Sequence, residues 1–135
     1  MPVDEENRLA ASKELLMRQV HPNMMQEGRL SSSAFTPTEK DQGRLSADRE
    51  QLISPKEAYE RYLAAKKLKA AGGTWGVSLA EFQSLNLAAY SDAIDGNHAH
   101  VLVDFTIHPT QEHRALGKLA YKKANDRGRL FPDSA

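Results

Sequence analysis

The chain predicts an α+β fold, a small and mainly antiparallel sheet with three to four helices in one domain spanning residues 1–135. Three observations lead there. Two serine capping patterns, Ser54-Pro55-Lys56-Glu57 and Ser78-Leu79-Ala80-Glu81, each open a helix. The run His98 to Ile107 alternates apolar and polar residues in the manner of a strand with one buried face. Finally, Gly-Arg-Leu-Ser occurs at 28–31 and again at 43–46 with a polar, Pro37-containing loop between, which reads as a hairpin. Strand and helix patterns alternate irregularly, so a doubly wound parallel sheet is disfavoured.

From the N-terminus, residues 4–17 predict a helix capped by Asp4, with Leu9, Leu16 and Met17 on its apolar stripe. The alternative is a strand over Leu15 to Val20 entering the turn His21-Pro22-Asn23, since Pro22 turns its predecessor away from helical geometry. Candidate hairpin strands follow at about 29–35 and 44–47. Ser54 accepts from the third helical amide and Pro55 has no amide to leave unpaired, so a helix runs from there to about Ala71, with Gly72-Gly73 as its stop. Thr74 to Val77 is a strand in which Trp75 anchors the core, leading into a short helix over Leu79 to Leu85. Leu87 to Tyr90 is extended, and Asp95-Gly96-Asn97 turns the chain into the long run, taken as the central strand. There Ala99, Val101, Val103, Phe105 and Ile107 face the core. Gln111 to Arg127 forms a last helix with Leu116, Leu119, Ala120 and Ala124 inward, and Phe131 docks or adds an edge strand. Residues 1–3 and 133–135 are expected to be loose.

Composition narrows the chemistry. With 18 basic and 18 acidic residues there is no global pull toward nucleic acid or anionic membrane. The absence of cysteine removes disulfides, thiolate catalysis and thiolate-bound zinc. No apolar run behaves as a signal or a membrane span, and a cytoplasmic location is expected.

Several clusters could carry function. Arg18 with Arg29, Ser31 and Ser33 on one predicted strand and Arg44 and Ser46 on its partner offers guanidinium forks and hydroxyl donors, a surface suited to a phosphate-bearing ligand. His21 adjoins it. His98, His100 and Asp104 share the outer face of the long strand and are candidates for proton transfer. That spacing is also compatible with a metal, but it is common, and neither metal nor cofactor is assigned. His108-Pro109-Thr110 matches a single His-x-Thr element of phosphoesterases that carry two, and the second is missing. Arg114, Lys118 and Lys122 recur every fourth residue of the last helix, a basic stripe open to a nucleic acid or an acidic protein.

An arginine or histidine on a first strand followed by a serine-bearing second strand resembles, loosely, ADP-ribosyltransferase cores, where those positions hold the dinucleotide. The later catalytic glutamate of that family has no counterpart here, and only Asp104 could stand in for it. No nucleophile elbow or glycine-rich phosphate loop is present in the sequence. The leading expectation is a small accessory or regulatory protein that binds another macromolecule, most readily a protein. The alternative is a small enzyme or binding domain for a phosphate-containing or nucleotide ligand, acting through the Arg/Ser/His cluster. Convergence of the Arg/Ser and His faces on one concave site would favour the alternative.

Overall fold

A computed structural model describes residues 4–94 and 96–132. Its centre is a five-stranded antiparallel sheet. The strands are β1 (Leu15–Val20), β4 (Arg44–Arg49), β5 (Gly73–Ser78), β6 (Ala88–Ser91) and β7 (His100–Asp104), in the order β5-β1-β4-β7-β6. A separate two-stranded ribbon pairs β2 (Met25–Gln26) with β3 (Arg29–Leu30). The helices are α1 (Pro55–Lys66), α2 (Leu79–Ser84) and α3 (Thr110–Arg127), with four short 3-10 turns at 5–7, 22–24, 32–35 and 39–41. The α+β, mainly antiparallel architecture read from the sequence is the one observed.

Alternation places two apolar clusters on opposite faces of the sheet. Leu16, Val20, Leu45, Trp75, Val77, Val101 and Val103 meet Phe35, Phe82, Ala120 and Ala124, so α3 and the 32–35 turn cover one side. Met17, Ile53, Ala58 and Ala99 form a smaller cluster, with α1 packed on β1 and β5. Both outer strands are paired by flanking chain. Leu9 donates to the Ala89 carbonyl beside an Arg8–Tyr90 bridge, and Thr74 of β5 exchanges hydrogen bonds with residues 130 and 131.

Five sequence expectations are corrected. No helix spans 4–17: only 5–7 form a 3-10 turn, capped by Asp4, and β1 is the strand alternative over Leu15 to Val20. β1 is buried on both faces, between β4 and β5, so its apolar pattern lacks strand alternation and mimics a helical stripe. The expected hairpin is absent. Residues 29–30 pair with 25–26, residues 32–35 coil into a 3-10 turn, and β4 pairs with β1 and β7. Local bonds stabilise the turn: Ser31 Oγ lies 2.7 Å from Ser33 Oγ, and Thr36 Oγ1 donates to the Ser32 carbonyl.

Helix α1 stops at Lys66 rather than Ala71, because Lys67 adopts the left-handed conformation (φ 56°) and Leu68 donates to the Leu63 carbonyl. β7 is shorter than predicted and lies second from the edge, with β4 in the middle. The Asp104 carboxylate accepts from the Thr106 amide and turns the chain, so Ile107 is 64% exposed. In α3 the stripe is narrower than expected, and Leu119 faces solvent. The expected loose ends at 1–3 and 133–135, and Asp95 of the expected turn, lie outside the described residues.

Candidate functional site

β1 and β4 are paired only at Leu16–Arg49 and Met17–Asp48. Beyond these pairs the strands part, while β1 continues along β5 to Val20. The gap opens a cleft of about 320 Å³, lined by Arg18 and Gln19 of β1, Ser46 and Asp48 of β4, Tyr62 and Lys66 of α1, and Asn97 and His100 at the start of β7. The parting of two strands therefore creates the site.

Arg18 spans the gap. Its Nη1 donates to the Ser46 carbonyl at 2.9 Å and its Nε to the Ala34 carbonyl at 3.0 Å. Among the described residues no carboxylate pairs with it and Nη2 has no hydrogen-bond partner. Loss of solvation lowers its pKa from the ordinary arginine value, while Asp41, Tyr62 and Asp48 oppose that shift through space. Burial in turn pushes the Tyr62 phenol up, against the pull of the Arg18 charge. Gln19 adds a second donor: its Oε1 accepts from Thr74 Oγ1 at 2.7 Å, which leaves Nε2 buried without a partner among the described residues.

On the opposite wall His100 Nδ1 lies 3.0 Å from Asp92 Oδ2 and 3.1 Å from the Asp92 carbonyl. A carboxylate on one ring nitrogen fixes the imidazole and leaves Nε2 for other work; no described residue bonds that nitrogen. Asp48 accepts from Asn97 Nδ2 at 2.8 Å, and Asn97 Oδ1 accepts from the Ala99 amide, which pins residues 97–99 to β4. The arrangement presents several donors around two carboxylates, Asp48 engaged by Asn97 and Asp92 by His100. It can hold an anion and exchange a proton with it.

Arg18, Ser46 and His100, predicted from separate stretches, thus meet in one cleft. The others do not join them. His21 caps the 22–24 turn by accepting from the Asn23 amide, and His98 Nε2 contacts the Leu52 carbonyl. Asp104 and Arg44 sit opposite each other on β7 and β4 as an ion pair at 3.8 Å. Arg29 lines a shallow hollow beside Trp75 and Gly128. Ser31 and Ser33 lie in a groove with Arg114 and Lys118. Among the described residues no three His, Asp or Glu side chains gather as metal ligands, and no described helix is long and apolar enough to cross a membrane.

Gln19, Asp48, Tyr62, Lys66, Asp92 and Asn97 were missed by sequence reasoning. Asp48 stands two residues beyond Ser46, on the same face of one strand, and Tyr62 and Lys66 are four apart on one helical face; those spacings were a legible signal. Nothing in the sequence marked Asp92 as the partner of His100. The chain matches no family model and shows no significant similarity to any curated protein or solved structure.

Proposed function

We propose that the protein binds a small phosphate-containing ligand in the cleft between β1 and β4. The observation that carries this is Arg18, a desolvated guanidinium with no carboxylate partner and a free nitrogen, lining the same cleft as the orphan Gln19 amide. The Arg18 charge favours an anion over a neutral ligand, and the buried Gln19 amide, whose lack of an acceptor costs about 1–3 kcal/mol, gains from a ligand that reaches it. Lys66, Tyr62 and His100 supply further donors at the rim. A volume of about 320 Å³ suits a phosphate joined to one sugar or a similar small group.

The test is a thermal-shift and calorimetric panel of inorganic phosphate, a pentose phosphate and nucleoside monophosphates. A ligand present at one hundred times its dissociation constant stabilises the folded state by about 2.7 kcal/mol. Tyr62→Phe and Lys66→Ala, at half-buried and exposed positions, should weaken binding without unfolding the chain. No stabilisation by any member, or affinity unchanged in both variants, overturns the reading.

The Asp92–His100 pair favours catalysis over binding alone, because a carboxylate-oriented imidazole facing a bound anion is placed for general acid–base work. On this second reading His100→Gln retains ligand affinity and loses turnover. Equal turnover in the variant removes His100 from the chemistry, and none in the wild type leaves a binding domain.

A further inference from the structure

A separate groove runs along α3. Arg114, Lys118 and Tyr121 lie at spacings of three and four residues about Gly117, so they share one helical face. At Gly117 an added methyl group would overlap Thr36 and come within 2.9 Å of the Phe35 carbonyl. The missing side chain lets the 32–35 turn rest on the helix, which brings Ser31, Ser32 and Ser33 beside the two cations in a groove of about 420 Å³. Among the described residues no acidic side chain lines it, and neither Arg114 nor Lys118 makes an ion pair. The donors are of the kind that recognise a phosphate dianion, a guanidinium fork and an ammonium flanked by hydroxyls.

The groove does not stop there. Arg114 also lines a larger cleft of about 580 Å³, between residues 36–43 and the start of α3, in which Thr36, Thr38, His108 and His113 take part and Glu39 is the acidic member. From Thr110 to Tyr121 the helix rises about 16 Å, the length of about five residues of extended polypeptide.

We propose that this groove binds a phosphorylated serine or threonine in an extended segment of a partner protein, with Arg114 and Lys118 on the phosphate and the neighbouring cleft taking the adjoining backbone. Single-stranded nucleic acid fits less well. The chain has no net charge, and Tyr121 is the sole aromatic residue lining the serine groove, whereas strand binders stack successive bases on several rings.

The test is amide NMR on the full chain, titrated with an alanine-based pentapeptide carrying a central phosphoserine, its unphosphorylated twin, and a five-nucleotide oligouridylate. The phosphopeptide should shift amides at 31–36 and 110–122, with at least tenfold weaker binding for the twin. Arg114→Ala and Lys118→Ala change solvent-exposed side chains, leave the fold intact and should each weaken the phosphopeptide at least tenfold. Equal affinity for the two peptides, tighter binding of oligouridylate, or shifts confined to 46–48 and 97–100 overturns the proposal. The last outcome would assign the phosphate to the β1–β4 cleft, so the two sites stand or fall separately.

Discussion

Arg18 and Ser46 are joined where two strands are not. The arginine side chain donates to the serine carbonyl at 2.9 Å in the gap that a further β1–β4 backbone pair would otherwise close. The same guanidinium also satisfies the Ala34 carbonyl, so sheet, 3-10 turn and cleft share one cation. Arg18→Met keeps the apolar stem and removes both bonds. Hydrogen bonds to a charged group contribute about 1.5–3 kcal/mol each, and a loss of about 2–4 kcal/mol is expected in denaturant titrations followed by fluorescence of Trp75, the Arg18 partner across β5. A loss under 1 kcal/mol would show that the gap closes without it.

Glu14 and Arg49 form a bidentate ion pair around a buried carboxylate. Nε and Nη2 both reach the carboxylate at 3.0–3.2 Å, and Glu14, whose side chain is 2% exposed, also accepts from the Gln51 amide. Arg49→Ala strands a buried carboxylate and should cost about 3–5 kcal/mol. The double variant Glu14→Gln, Arg49→Met should recover part of that loss in the same assay. Equal stability of the single and double variants would mean that water already solvates Glu14.

Gly117→Ala tests how closely α3 rests on the 32–35 turn. In an open helix alanine gains about 1 kcal/mol over glycine. Against Thr36 and the Phe35 carbonyl the sign should reverse, to a loss of about 1–3 kcal/mol by overpacking. A variant more stable than the wild type would contradict the contact.

Acid should act through Glu81. Burial pushes its carboxyl up, but the Ser78 amide and Arg127, 2.9 Å away, outweigh burial and hold it below the ordinary glutamate value of 4.5. A depressed folded-state pKa contributes stability that is complete above the unfolded value and disappears as pH falls through the folded one. Glu81→Gln should therefore flatten the loss of stability below about pH 4.5. Unchanged slopes in wild type and variant would remove Glu81 from the acid transition.

The legible parts of the sequence were those where local chemistry and tertiary packing agree. Ser54 and Ser78 accept from the amides of Glu57 and Glu81 as their patterns predict, and Val101, Val103 and Phe105 are fully buried. Failure came where partners are remote. Ser31 and Ser33 read as a strand, yet their hydroxyls bond each other and the segment rests on α3, some eighty residues away. For the site, residue types were readable and their meeting was not: Arg18 and Ser46 are 28 residues apart, and the cleft between them exists because two strands separate.

Antiparallel sheets ordinarily invite growth, since each outermost strand offers amides and carbonyls to any passing chain. Here Leu9 takes one such position on β6, at Ala89, and residues 130–131 take those of Thr74 on β5. Detaching either clasp would turn that border into a template. Loss of Leu9 or Phe131 should thus raise fibril formation in concentrated solution together with a lower melting temperature, because Leu9 packs on the main core and Phe131 on Tyr59.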